Sequence, residues 1–290
     1  MRVTQSMIST NTLRNIGESY SKLSKLNDQS VSGKKFSKPS DDPVAAMLAM
    51  SYRTDLNRIG QFQENIGTVK SWVDATDDSL NAVGNALHQF RDLIVQASNG
   101  TYEENQRSYM ALEMRELIGQ ITDLADTQVG GKYIFGGTKT DQRPSANINA
   151  ATGVINLEVF SNITLPMNIQ GNDIFPDMIS PGGVLDTIAS ALENPNTDPT
   201  TLTNYIGDID AQMDVVLGTR AVVGARQNRV ELMEDRLGQQ EIFSTRILSD
   251  NEDIDLEKVL IDLTTQESVH RAALGVGAKI MQPSLMDFLR

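Results

Sequence analysis

Cysteine is absent from the 290 residues, which removes disulfides, cysteine–metal sites and thiol chemistry together. Aromatics make up only 5%, with one Trp, while hydrophobic content is 39%. That balance favours helix seams filled by Leu, Ile, Val, Met and Ala over a large mixed core. Basic residues are outnumbered 25 to 38, and a net charge of −13 lacks the electrostatic footprint of a nucleic-acid binder. No run approaches eighteen apolar residues, so no membrane span is expected. Met1–Asn11 is too polar after Arg2 for the apolar core of a signal peptide. The plain expectation is a cytosolic protein; the sharper one is export by a route that needs no cleaved signal.

What is present is length for about two domains and an uneven distribution of charge. Residues 1–40 hold seven Lys/Arg against two acids, a balance of +5, and residues 251–290 hold four against seven, a balance of −3. The two ends attract. In the last forty residues Leu256, Val259, Leu260, Leu263, Ala273, Leu274, Ile280, Met281, Leu285 and Phe288 step by helical spacings, so they form an apolar stripe that needs a partner surface. Near the other end Leu13, Ile16, Tyr20, Leu23 and Leu26 do the same, predicting an amphipathic helix over about 9–32 with Gly33 as its stop. The pair is a candidate assembly seam.

The loop Gly33-Lys-Lys-Phe-Ser-Lys-Pro-Ser-Asp-Asp-Pro43 follows. Ser40, Asp41 and Asp42 can accept from orphan N–H groups of the next helix, and Pro43 suits its first position. From Val44 to about Ser98, Ile59, Ile66, Val73, Leu80, Leu87 and Ile94 recur every seven residues. Phe62, Val69, Thr76, Val83, Phe90 and Ala97 form a second column offset by three, the pattern of a long coiled-coil-like helix. Asn99-Gly100 breaks it; Met110, Met114, Leu117, Ile121 and Leu124 predict a second helix to about Gln128.

Tyr133-Ile-Phe135 between glycine pairs reads as a short strand or hairpin. Residues 138–180 read as a small β insert carrying Val154–Phe160 and Ile163–Leu165, too small to stand without docking on the helices. A short helix with Val184, Leu185, Ile188 and Leu192 precedes the Asn194–Pro199 loop, and about 202–248 forms a last long helix. The seam of that helix is less regular, with Arg220, Gln227 and Glu234 at heptad positions. The expected fold is mainly α: an elongated coiled-coil-like helical bundle with a small β insert and terminal assembly helices. Its divisions are 1–42, 43–137, 138–180, 181–250 and 251–290.

Chemistry is not visible. Glu267-Ser-Val-His270 is half of a di-iron motif, but His88 lacks the matching Glu, so a polar break in a seam is the better reading. Asp250–Asp255 lacks the glycine and spacing of a calcium loop and suits a helix start. Gly275-Val-Gly-Ala-Lys279 fails the phosphate-loop spacing; its glycines suit close approach of another helix. Lys34, Lys35 and Lys38, followed by acids, suit a solvated turn or an intersubunit contact. No cofactor or metal is expected.

Several blocks resemble the flagellin superfamily and, within it, the bacterial hook-filament junction family of hook-associated proteins type three. They are Met1-Arg-Val-Thr4, Ser32–Lys35 with Gly33 and Lys34, and Pro39-Ser40-Asp41-Asp42-Pro43. Tyr133–Thr140 and Gly171–Phe175 are similar to elements flanking the insert. Val223-Gly224-Ala225-Arg226-Gln-Asn228-Arg229 and the closing Ala278–Arg290 resemble the family's later blocks. Gln282-Pro283 departs from it, since Pro can kink the terminal helix. The resemblance implies a flagellin-like rod and a non-enzymatic structural subunit, secreted uncleaved through the flagellar type III export apparatus and guarded by an export chaperone. It implies copies assembled with one another (self-assembly) in a ring at the hook tip, between a neighbouring hook-associated protein and flagellin. The nearest alternative is a short filament flagellin; more remote are a helical-bundle metalloenzyme and a cytosolic coiled-coil adaptor.

Overall fold

The structure, a computed structural model, describes residues 5–98, 104–194, 197 and 199–281. In order, its elements are α1 (Gln5–Ser32), α2 (Pro43–Ser98), α3 (Glu104–Ala125), the strands β1 (Gln128–Val129) and β2 (Lys132–Tyr133), then β3 (Asn156–Phe160) and β4 (Ile163–Pro166). The short helices α4 (Pro176–Ile179) and α5 (Val184–Glu193) lead into α6 (Pro199–Glu252) and α7 (Leu256–Met281). The chain divides into two compact units, one made of Met1–Arg58 and Gln240–Arg290, the other of Ile59–Gln239.

In the second unit both heptad columns of α2 become core. All twelve residues, from Ile59 to Ala97, are buried, including the polar Thr76. The Thr76 hydroxyl donates to the Trp72 carbonyl at 2.7 Å, which satisfies it without opening the seam. α6 contributes Leu202, Ile209, Val216, Val223, Val230 and Leu237, a buried column with the same seven-residue step. Its second column is polar because it is spent on α2. Arg220 forks onto Asp77, Nε to Oδ1 at 3.0 Å and Nη2 to Oδ2 at 3.2 Å. Gln227 donates to Asp74 at 3.0 Å, Lys70 to Glu234 at 2.8 Å and Arg91 to Asp210 at 2.7 Å. Partners fall on α2 as they rise on α6, an antiparallel ladder. Half-exposed pairs of this kind contribute about 0–1 kcal/mol each; their consequence is register rather than stability.

Ala111, Met114, Leu117, Ile121 and Ala125 bring α3 onto the same core, with Leu185, Ile188, Ala189 and Leu192 of α5. β1 and β2 pair antiparallel around Gly130-Gly131, whose φ values of 60° and 77° suit a two-residue hairpin turn. The insert is less β than its residues suggest. Only β3 and β4 pair, with a bulge between Glu158 and Phe160 and a turn at Asn162, φ 63°. Short 3₁₀ turns at Pro144–Ala146, Ile148–Ala150 and Gly171–Asp173 take the rest. A side chain holds the approach to β3: buried Asn168 accepts from the Ile155 amide at 2.8 Å and donates to the Gly153 carbonyl at 3.0 Å. The insert docks on the helices. Asn65 donates to the Glu158 carbonyl at 2.7 Å, Phe160 stacks on Phe62 with centroids 6.3 Å apart, and the Arg236 guanidinium sits 4.3 Å above the Phe160 ring.

Candidate assembly interface

The first unit is built from the two ends of the chain. α1 ends at Gly33, whose φ of 71° and bond from its amide to the Gln29 carbonyl at 2.9 Å make the left-handed cap that the sequence predicts. The chain then clips onto the junction between α6 and α7. The Lys35 amide donates to the Glu252 carbonyl at 2.6 Å, and the Ile254 amide to the Gly33 carbonyl at 3.0 Å. Beyond Pro39, Asp41 closes a turn by accepting from the Lys38 amide at 3.2 Å. Asp42 is the acid that caps α2, accepting from the Val44 and Ala45 amides at 3.1 and 3.0 Å. Pro43 occupies the first helical position, and Ser40 is exposed.

Glu252, only 3% exposed, is the hub of this clip. One carboxylate oxygen accepts from Lys34 Nζ at 2.7 Å and from Arg53 Nη2 at 2.8 Å, and the other lies 2.7 Å from the same Arg53 nitrogen. Burial by itself would push the carboxyl up; the hydrogen bonds and charges of Arg53 and Lys34 outweigh it and hold Glu252 below the usual carboxylate range. Lys35 Nζ donates to the Asp250 carbonyl at 2.5 Å, and Asn251 Nδ2 to the Ala45 carbonyl at 3.0 Å. Lys34 and Lys35 stay partly or fully exposed in a turn, as a solvated turn requires, and they also bind within the chain. Their partners are supplied within the chain, because the acid cluster at 250–255 folds back beside them.

α1 and α7 pack antiparallel. On α1 the seam positions that are half-buried or buried are Ser9, Thr12, Ile16, Ser19, Leu23, Leu26 and Ser30, with Gln29 half-buried as well and turned to the Lys35 carbonyl; on α7 they are Val259, Leu263, Gln266, His270, Ala273 and Gly277. Both sets alternate steps of three and four, the spacing of a two-helix seam. At its middle lies a polar layer. Gln266 Nε2 donates to Ser19 Oγ at 3.0 Å, and His270 Nδ1 lies 3.3 Å from the same hydroxyl. Glu267 instead faces outward and pairs with Arg271. Gly277 is the close-approach glycine: a Cβ there would stand 3.0 Å from Ile16 Cδ1 and 3.4 Å from Thr12 Cγ2, whereas one at Gly275 would meet open space.

The predicted seam residues therefore fall in two groups. Ile16, Leu23 and Leu263 lie in the intramolecular seam. Leu13, Tyr20, Leu256, Leu260 and Leu274 remain between 44% and 64% exposed. At 3.6 residues per turn Leu13, Tyr20, Leu260 and Leu274, each one residue after a seam position, sit on the same flank of the antiparallel pair, while Leu256 continues the Leu263 column at the start of α7. The side chains of Ile280 and Met281, with Leu285 and Phe288, lie outside the described residues. Among the later motif residues, Arg226 donates to the Asn168 carbonyl at 2.8 Å, tying α6 to the insert, and burial pushes its pKa down. Gly224 is half-buried with space around it, and Ala225, Asn228 and Arg229 are exposed. Sequence reasoning missed Glu252, Arg53 and Ser19; the only signal for Glu252 was the opposite charge of the two chain ends.

Among the described residues no group of His, Asp or Glu could hold a metal ion, and no helix is long and apolar enough to cross a membrane. A family model described as the bacterial flagellin N-terminal helical region matches residues 3–140. Flagellar hook-associated protein 3 of Escherichia coli (strain K12) is 25% identical, covering 94% of this chain and 95% of its own. The protein of the same name from Salmonella typhimurium is 25% identical over the whole of both chains. The solved structure of a flagellar hook-associated protein from Vibrio parahaemolyticus matches with a TM-score of 0.66 and 25% identity, covering 73% of this chain and 100% of that one. These matches span both ends, the helices and the insert: residues 3–140 match the flagellin N-terminal helical region, and the chain is similar over its length to flagellar hook-associated protein 3.

Proposed function

We infer that this protein is a structural subunit of the bacterial flagellum, a junction protein that joins the hook, through its neighbouring hook-associated protein, to the flagellin filament. It is not an enzyme. The observation that carries the assembly mechanism is the exposed flank of the terminal pair. Leu13, Tyr20, Leu260 and Leu274 on this flank, with Leu256 at the start of α7, present apolar side chains that the chain leaves uncovered, and exposed apolar surface rimmed by polar residues marks an interaction site. Residues 1–42 and 251–290 act as the assembly segments. Copies associate by covering this flank, and ordering of the termini is coupled to that burial. Head-to-tail contacts then close a ring or propagate, according to the rotation between neighbours. In this reading the protein travels through the flagellar type III export apparatus with an export chaperone and works outside the cell.

Leu274→Asp tests the mechanism. The side chain is half exposed, so the monomer should melt within about 0.5 kcal/mol of the parent, while cells carrying the variant should build hooks but few filaments. If the purified variant loses its fold, the residue is core and the flank is not an interface.

A further inference from the structure

We propose that the groove between α1 and the 33–42 loop is the receptor for the acidic start of α7 from a second copy, a proposal that rests on the assembly reading above. The groove encloses about 410 Å³ and is walled by Tyr20, Lys25, Phe36, Ser37 and Lys38, among others. Residues 20–41 carry five lysines against two aspartates, both of which also line it, leaving +3 in a chain whose net charge is −13. Two of the lysines, Lys34 and Lys35, are occupied by Glu252 and the Asp250 carbonyl. Among the described residues the side-chain ammonium groups of Lys25 and Lys38 have no carboxylate within 4.0 Å, so their charge is available to a partner.

The occupant is argued from charge and from apolar match. Residues 253–262 carry Asp253, Asp255, Glu257 and Asp262 against Lys258, a balance of −3, and all four acids are exposed. Leu256, Leu260 and Ile261, on the same stretch, are exposed large hydrophobics, suited to the Tyr20 and Phe36 rings. Donor and acceptor are different surfaces of one chain, so the contact is head-to-tail and can repeat around a ring. It also gives an acidic protein a specific attraction to its own copies, where net charge alone repels. Within one molecule Lys34 and Lys35 already bind Glu252 and the Asp250 carbonyl just before this stretch; the intermolecular contact adds ion pairs from Lys25 and Lys38.

The native chain has no cysteine, so an introduced pair reports one contact. Full-length Ser37→Cys and Glu257→Cys copies, carrying different tags, are mixed as concentrated purified proteins at low salt, and also co-expressed in cells whose hook–filament complexes are isolated. Mild oxidation should give a mixed disulfide dimer only when both variants are present. Lys25→Glu with Lys38→Glu on the Ser37→Cys copy should abolish it, and Asp253→Lys with Asp262→Lys on the other copy should restore it. No mixed dimer in either setting, or mixed dimers indifferent to the charge reversals, overturns the groove. Mixed dimers in the purified pair from copies absent from isolated flagella support the groove and overturn the junction reading instead.

Discussion

Glu252 holds the two ends of the chain together, and its chemistry sets a direction for pH dependence. Arg53 and Lys34 keep its carboxyl below the usual range in spite of burial. A carboxylate held low in the folded state adds stability that is complete above the ordinary glutamate value of about 4.3 and is lost as pH falls through the lower folded value. Hydrogen exchange should follow it: protection of the Lys35 and Ile254 amides, which bridge the clip, should fall with acidification below about pH 4. Glu252→Gln should lower that protection by about 1–3 kcal/mol at neutral pH and flatten its acid dependence. Unchanged protection in the variant would remove Glu252 from its role. None of this was legible in the sequence, because Lys34 and Glu252 lie 218 residues apart and neither belongs to a repeat. The +5 and −3 end balances announced attraction without naming the pair.

At the scale of elements, legibility followed periodicity. Ile59 to Ala97 could be read as a buried seam because a seven-residue repeat sustained over six turns of pattern has few other uses, and all twelve are buried. Gly33 and Pro43 could be read as helix punctuation for equally local reasons. The insert resisted, since its 153–155 stretch is held by Asn168 and by Gln170, which accepts from the Gly153 amide at 2.8 Å; a polar network of this kind has no period. The terminal stripe was half legible. Apolar spacing located the residues, but the antiparallel register decides that Ile16 and Leu263 face inward while Leu13 and Leu274 do not. Gly275 and Gly277 show the same limit, two glycines in one motif with opposite surroundings. Gly275→Ala, into open space, should stabilise α7 by about 0.5–1 kcal/mol. Gly277→Val, against Ile16, should destabilise the pair by about 1–3 kcal/mol. Circular-dichroism melts of the two variants should therefore move in opposite directions, and equal shifts would contradict the packing.

For the whole molecule, the chain comprises a helical unit, Ile59–Gln239, with a heptad core, and a terminal unit whose apolar flank is left uncovered. In the first, the polar column on α6 is paired to α2 and the insert is docked. The second mixes small and polar residues, Ser19, Gln266 and Gly277 among them, with Ile16, Leu23 and Leu263 in its seam, and leaves Leu13, Tyr20, Leu260 and Leu274 outside. A chain that spends Leu13, Tyr20, Leu256 and Leu274 on its surface is organised for neighbours. The measurement that tests this most directly is immunogold labelling of the intact protein on isolated flagella. A single band of label where the hook meets the filament is the result expected; decoration along the whole filament, or no label outside the cell, would contradict it.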